Sequence, residues 1–311
     1  MKLLMLRGAV PKDRNPKEIM FDSIDHDDDI WTNLAYGLGD EVEIAYWGGN
    51  RETVYDDKCV VRWVKSFKHY EPIFEPDIIW ARGGFPEYLP ILRRFPNAKK
   101  IYYGSGIRYI PNDDIKYHMV LCDTVAQKIK LAKKGYNAKL YIKPSVDIFK
   151  PIQVTKKYDI AFVANGGQAK IKNIKWVYKT VPKDLKVLHL GLPSKYKPPE
   201  NVKCVRAIKS DMPKLLNMCK IGIIPYSSYD SAPRALIEMI ACGLPIVVSD
   251  EVNIWQEKYI DDAWTGEISN KKFFWDTVRS VLKRRKSFRA RQYYEEYLDM
   301  YTAIEHLKEI V

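Results

Sequence analysis

The sequence lacks any apolar run that could cross a membrane, and it uses cysteine sparingly. No stretch approaches the roughly 18 consecutive apolar residues that a membrane-spanning helix needs, and the first ten residues are too short and too quickly interrupted for a signal peptide. The five cysteines are scattered and form no C-x-x-C pair, which favours buried, reduced thiols. No internal repeat is present. We therefore expect a cytoplasmic protein, with peripheral attachment to a membrane surface left open.

Metal-binding patterns are also missing. The segment 22–29 reads D-S-I-D-H-D-D-D, in which one histidine stands among five acids, but the spacing is not that of a zinc site. We interpret it as a solvated acidic loop that ends in a helix cap, and we expect no bound metal. Asp25 or Asp27 stays open as a hypothetical catalytic base.

The length of the chain bears on the number of domains, and its charge bears on the kind of partner. The chain has 311 residues, of which 46% are hydrophobic, enough for two folded domains. Its net charge is +12 and its isoelectric point is near 9.2. Such a charge indicates an anionic partner, which could be a nucleic acid, a membrane surface or the phosphates of a nucleotide. A surface of merely solvated lysines is the alternative.

Strands and helices alternate in both halves. Residues 2–7 predict a first strand that ends at Gly8, and residues 30–38 and 41–47 predict a helix and a second strand. This order is typical of a Rossmann-like α/β domain with a parallel sheet. Two prolines bracket a polar stretch before residue 152, as expected of a linker. A new strand then begins at Tyr158.

The stretch 230–250, DSAPRALIEMIACGLPIVVSD, carries the clearest local signals. Asp230 or Ser231 can cap a helix of about ten residues, and Pro233 suits its first turn. Gly243 is the residue expected just past the helix end. The apolar run that follows predicts a parallel strand buried on both faces.

Glu238 is the one polar position in the core of that helix, within ALIEMIA. A carboxylate in a buried helix must find hydrogen-bonding partners, because an unpaired buried charge is too costly to keep. Sugar or ribose hydroxyls would satisfy it, and so would a structural arginine. The helix N-terminus offers free N–H groups and a positive dipole end to an anion.

These residues resemble the C-terminal domain of the retaining family-four glycosyltransferases of the GT-B fold. In that family an acid, seven other residues and a glutamate precede A-x-G-x-P and a hydrophobic strand. Asp230, Glu238, Ala241, Gly243 and Pro245 match, although the family usually has glutamate at the first position. The resemblance implies that Glu238 holds the nucleotide ribose and that Asp230 contacts the donor sugar. It also implies that the helix start, with Ser231 and Arg234, receives the diphosphate.

Further matches are less specific. After Tyr158–Asn165, the family has a basic pair that holds the diphosphate; Lys170 is the better match to its lysine, and Lys172 could substitute. A lysine after a glycine loop suits phosphate, because it delivers a mobile charge. The resemblance also places Gly8 near the donor phosphates. Asp230 and Lys170 are thus the catalytic candidates.

The resemblance implies a fold with two Rossmann-like domains whose parallel sheets face each other across a cleft. Residues 1–151 would form the acceptor-side domain and residues 152–290 the nucleotide-sugar-binding domain. Residues 291–311 would form a terminal helix that crosses back onto the first domain. Before it, residues 271–291 carry nine lysines and arginines against one aspartate. That basic segment is either a membrane or DNA contact or a solvated helix face.

The expected activity is transfer of a sugar, with retention, from a UDP- or GDP-sugar to an unidentified acceptor. Many relatives have a histidine where this chain has Ser105 and Gly106, so a base is not evident, which fits proton transfer to the leaving phosphate. No tightly bound cofactor and no obligate protein partner are expected. One alternative is a phage-type enzyme that glycosylates hydroxymethylated bases in DNA. Synthesis of glycolipid or polysaccharide at a membrane is another, and a non-catalytic nucleotide-sugar- or nucleic-acid-binding protein is a third.

Overall fold

The computed structural model describes residues 1–8, 30–48, 51–54, 56–104, 114–192, 194–228 and 233–311. Contacts divide the chain into two compact units. Unit 1 comprises Met1–Ile142 together with Met300–Val311, and unit 2 comprises Lys143–Asp299. The domain boundaries expected from sequence, after residues 151 and 290, remain a prediction about independently folding domains.

Helices alternate with strands through both units. The α-helices of the described residues are, in chain order, α1 (Ile30–Leu38), α2 (Leu89–Arg94), α3 (Val125–Ala132), α4 (Ile174–Thr180), α5 (Met212–Asn217), α6 (Arg234–Ala241), α7 (Gln256–Tyr259), α8 (Phe274–Arg284), α9 (Ala290–Tyr297) and α10 (Met300–Ile310). No helix among the described residues is long and apolar enough to cross a bilayer.

Unit 1 is built on an eight-stranded sheet in the order β3-β4-β2-β1-β5-β6-β7-β8. The strands are β1 (Lys2–Arg7), β2 (Glu41–Trp47), β3 (Arg51–Val54), β4 (Cys59–Val64), β5 (Ile78–Arg82), β6 (Lys99–Tyr103), β7 (Met119–Cys122) and β8 (Ala138–Leu140). All neighbours pair in parallel except the edge strand β3, which is antiparallel to β4. The central strands are apolar and buried on both faces, as parallel strands covered by helices must be.

Helix α10 belongs to unit 1 and packs against α1. The two helices approach closely because Gly37 has no side chain, and a methyl group there would overlap Ile304. The sequence predicted one terminal helix over residues 291–311, whereas the structure divides this segment between two helices. The backbone leaves helical geometry at the buried Leu298 (φ −132°, ψ −2°), so α9 ends in unit 2 before α10 begins in unit 1.

Unit 2 contains a six-stranded, wholly parallel sheet in the order β11-β10-β9-β12-β13-β14. The strands are β9 (Tyr158–Val163), β10 (Val187–Leu190), β11 (Val202–Val205), β12 (Cys219–Ile224), β13 (Ile246–Ser249) and β14 (Gly266–Ser269). The chain therefore restarts a doubly wound α/β sheet after the linker. The prediction of two Rossmann-like units with parallel sheets is confirmed.

The basic segment 271–291 contributes α8, whose buried face consists of Phe274, Val278 and Val281. Two of its arginines pair with acids of the same unit, Arg279 with Asp184 at 2.8 Å and Arg284 with Glu267. Surface pairs of this kind contribute little to stability. They nevertheless show that part of the basic face is occupied within unit 2.

Candidate functional site

Helix α6 and strand β13 form the centre of the candidate site. Pro233 is the N-cap residue, with an extended backbone (φ −63°, ψ 127°), and the helix runs for eight residues rather than the ten expected. A proline ahead of the first turn fits, because its missing N–H would have no intrahelical partner there. Asp230 and Ser231, the expected caps and donor contacts, lie outside the described residues.

Gly243 ends α6 in the manner predicted. Its backbone adopts φ +75°, which side chains rarely tolerate, and its N–H donates to the Ile240 carbonyl at 2.8 Å. The Leu244 N–H then donates to the Met239 carbonyl at 3.0 Å. This turn sends the chain directly into β13, which is buried and parallel to both its neighbours.

Glu238 is half-buried. Its neighbours on α6, residues 235–237 before it and 239–241 after it, are all buried. Its carboxylate forms no hydrogen bond or ion pair with any residue that the structure describes. Burial raises the pKa of Glu238, and the positive charges of Arg234, Lys209 and Lys172 oppose that rise. A carboxylate in this position gains from ligand hydroxyls that donate to it, because hydrogen bonds to a charged acceptor are the stronger ones.

Two of those three cations were predicted from the sequence, Arg234 and Lys172. Arg234 is exposed at the start of α6. Lys172 is half-buried, and its Nζ lies 3.9 Å from the centre of the Tyr226 ring. Lys209 was missed, because a single lysine before a short helix gives no signal that distinguishes it from the many exposed lysines.

The loop between β9 and α4 is tied to the end of β12. The side chain of Asn165 accepts a hydrogen bond from the Gly167 N–H at 3.3 Å. Asn173 has a left-handed backbone (φ 53°), and its side-chain amide donates to the Pro225 carbonyl at 2.8 Å. The Ser227 N–H donates to the Ile171 carbonyl at 2.9 Å. These bonds hold Lys172 at the carboxyl end of the sheet.

Lys170 lies at a separate surface pocket. It is exposed and lines a surface pocket of about 640 Å³. The lining residues are Gly166, Gly167, Ala169, Lys170, Asn173, Lys175, Trp176, Lys179, Lys195 and Tyr196. They include neither Glu238 nor Lys172. Two lysines were predicted to bind the diphosphate. The charge of Lys172 acts on Glu238, and Lys170 is not among the cations that do so.

The other predicted positions lie elsewhere. Gly8 follows β1 in unit 1, where a methyl group would overlap the Phe85 ring, so close packing accounts for the glycine there. Ser105, Gly106 and the acidic segment 22–29 are outside the described residues. In the part of the chain that the structure describes, no group of three or more histidine, cysteine or acidic side chains could hold a metal ion.

Comparison with known proteins agrees with the architecture. Residues 190–297, about a third of the chain within unit 2, match the family model described as "Glycosyl transferases group 1". The predicted resemblance is thus confirmed there by an independent comparison. No curated protein sequence matches the chain.

Solved structures resemble the chain over nearly its full length. Sucrose-phosphate synthase from Thermosynechococcus elongatus has a TM-score of 0.70 at 10% identity, with 99% of this chain and 98% of that chain covered. HepE of Anabaena, solved with UDP-glucose, has a TM-score of 0.64 at 12% identity, with 99% and 98% covered. WaaG, a glycosyltransferase involved in lipopolysaccharide biosynthesis, has a TM-score of 0.63 at 14% identity, with 100% and 99% covered. The fold is that of the GT-B glycosyltransferases.

Proposed function

We propose that the protein transfers a sugar from a nucleotide-sugar donor to an acceptor hydroxyl. The observation that carries this proposal is Glu238, a half-buried carboxylate with no hydrogen-bonding partner among the described residues and three cations acting on it. It lies inside the segment that matches the glycosyltransferase family. A nucleotide diphosphate suits this arrangement, since its ribose hydroxyls can donate to the carboxylate and its phosphates carry the negative charge that nearby cations attract.

The proposed roles follow from that arrangement. Glu238 binds the ribose, and Arg234 and Lys172 bind the diphosphate beside the start of α6. Lys170 and Ser231 are the further proposed contacts to the donor phosphates, and Asp230 is the proposed contact to the donor sugar. Cations and the positive helix end stabilise the charge that develops on the departing diphosphate.

Transfer proceeds with retention in this proposal. The acceptor oxygen forms a bond to the anomeric carbon while the bond from that carbon to the phosphate oxygen breaks. The acceptor proton passes to the departing diphosphate, so no side-chain base is required. UDP is the proposed nucleotide, because HepE, a structure with this fold, was solved with UDP-glucose and with UDP.

Calorimetric titration with UDP-glucose, UDP-N-acetylglucosamine and GDP-mannose in EDTA tests the donor site. Glu238→Gln should weaken binding of the preferred donor by about 10- to 100-fold, because a hydrogen bond to a charged group contributes about 1.5–3 kcal/mol. Glu257→Gln, a control at an exposed position on α7, should leave affinity unchanged. Equal affinities for the wild type and Glu238→Gln would contradict the proposed ribose contact.

The same titrations separate the transferase from a protein that binds nucleic acid alone. Salt-dependent binding of duplex DNA without binding of any nucleotide sugar would overturn the proposal, since counterion release sets such a salt slope. Release of UDP that depends on an added acceptor would support it, and product analysis by NMR would decide between retention and inversion.

A further inference from the structure

The surface pocket that Lys170 lines has its cause in the topology of unit 2. Strands β9, β10 and β11 are successive parallel neighbours in the sheet. Crossovers between such strands are right-handed, so the two connections run over the same face. Helix α4 lies in the first connection, but residues 191–201, which form the second, contain no helix among the residues described. The place beside α4 where a second crossover helix would pack is therefore open, and residues from both connections line the pocket of about 640 Å³.

Four lysines and no acid are among the described residues that line this pocket. Lys170, Lys175 and Lys179 come from the first connection and Lys195 from the second. All four are exposed, and their ammonium groups form no hydrogen bond or ion pair with any residue that the structure describes. Lys175 and Lys179 are also four residues apart on α4, where like charges repel each other. The pocket therefore has an excess of positive charge that a bound anion would compensate.

Aromatic rings hold two of the lysines at the wall of the pocket. The ammonium groups of Lys175 and Lys195 lie 5.9 Å and 5.6 Å from the centre of the Tyr196 ring. The ring attracts a cation in such a position, so Tyr196 brings one lysine from each connection to the same place. Trp176 stacks on Trp275 of α8, with 5.7 Å between the ring centres and 12° between the planes. Both rings of the pocket are thus engaged with the protein, and the lysines are the groups left to recognise a ligand.

We propose that Lys175, Lys179 and Lys195 form a binding site for a soluble polyphosphate, distinct from the donor site. Lysine suits phosphate groups, because its ammonium is a compact charge on a flexible stem. A ligand with several phosphates supplies a negative charge for each lysine, which a single carboxylate does not. The lysines surround a concave space, which admits a compact ligand more readily than a flat bilayer or a rod-like duplex. Lys170 is also a proposed contact to the donor, so the other three lysines define the site.

Calorimetric titration with inorganic tripolyphosphate, in EDTA at low ionic strength and with UDP added to saturation, tests the site. UDP fills the donor site, so the remaining heat reports binding elsewhere on the protein. The pocket variant, with Lys175→Gln, Lys179→Gln and Lys195→Gln together, should bind tripolyphosphate at least tenfold more weakly than the wild type.

A matched control separates the pocket from the general positive charge of the protein. The control variant, with Lys214→Gln, Lys283→Gln and Lys286→Gln together, removes the same charge from exposed positions of unit 2 outside the pocket lining. It should bind tripolyphosphate with nearly the wild-type affinity. Tyr196→Phe keeps the ring and should bind as the wild type does, whereas Tyr196→Leu should bind more weakly.

Three results would overturn the site: equal affinity in the wild type and the pocket variant, an equal loss in the control variant, or displacement of tripolyphosphate by UDP. Vesicles of phosphatidylglycerol and duplex DNA test two other sources of phosphate groups. If either binds the wild type and loses its binding in the pocket variant, while tripolyphosphate does not bind, the surface contacts a membrane or a nucleic acid and the proposed ligand is wrong.

Failure of the proposed function gives a different pattern. The pocket variant should bind UDP-glucose with wild-type affinity, because its three lysines have no proposed contact to the donor. If tripolyphosphate binding requires these lysines but no nucleotide sugar binds, the polyphosphate site stands and the transferase proposal fails. If donors bind and turn over while tripolyphosphate binding does not depend on the lysines, the transferase stands and the polyphosphate site fails.

Discussion

A methyl group added at Gly222 should destabilise unit 2 and disturb the donor site. Gly222 lies in the middle of β12, and a Cβ there would overlap Sδ of Met239 on α6 and approach Cγ2 of Ile246 at 3.2 Å. Met239 is fully buried and directly follows Glu238. Helix α6 must therefore move away from the sheet, or the methionine must change rotamer within a filled core.

The expected magnitude is modest but measurable. Overpacking a filled core costs about 1–3 kcal/mol, and replacing glycine by alanine within a strand recovers about 0.5–1 kcal/mol of backbone entropy. A net loss of about 1–2 kcal/mol lowers the Tm of a domain of 150–250 residues by about 2–8 °C. Because α6 carries Glu238, the affinity for a nucleotide-sugar donor should fall as well.

Gly167→Ala is the matched control, since it makes the same substitution in the same unit where no atom lies within 4 Å of the new Cβ. It should be neutral or stabilise by about 0.4–1 kcal/mol, because alanine restricts the unfolded chain. Differential scanning calorimetry of both variants, with and without UDP-glucose, measures the contrast. A Gly222→Ala protein that melts at or above the wild-type temperature would refute the close approach of α6 to β12.

Three further variants test separate features. Burial raises the pKa of Glu238, so the stability of the wild type should fall as the pH rises from about 4.5. The Tm of Glu238→Gln relative to the wild type should therefore increase over that range. A difference in Tm that does not change with pH would contradict this expectation. Burial lowers the pKa of His189, so the stability of the wild type should fall as the pH drops below about 6.5, and His189→Gln should show a shallower fall; equal slopes would count against it. Leu307→Ala on α10, at a fully buried position, should lower the free energy of unfolding in urea by about 2–5 kcal/mol. Tyr301→Ala, on the same helix at a 71% exposed position, should lower it little. Similar losses of stability in the two variants would show that α10 does not contribute to the core.

The fold could largely be predicted because local signals and burial agree. The run after Gly243 is apolar and β-branched, and it forms β13 between two parallel neighbours. Gly243 itself has the positive φ that a helix end demands, so one residue marked the boundary between α6 and β13. Such signals are local, and the sequence therefore contains them.

What could not be predicted depends on contacts between distant residues. Glu238 was singled out by its place in an apolar helix, but the charge of Lys209 acts on it only because the sheet brings the two together. Arg7 and Arg82 are 75 residues apart in the chain but pair in register on neighbouring strands. Nothing in the local sequence around either residue indicates this pairing. The break at Leu298 was missed because a buried leucine fits the periodicity of a continuing helix equally well.

The assignment of α10 to unit 1 has a consequence for synthesis. The ribosome completes residues 1–142 long before it makes residues 300–311, with all of unit 2 between them. At about 5–20 residues per second, unit 1 waits about 8–30 s for the helix that covers Gly37 on α1. During that interval the nascent chain exposes an apolar helical face, and a chaperone that binds such faces would find its substrate in unit 1 rather than in the unit still being made.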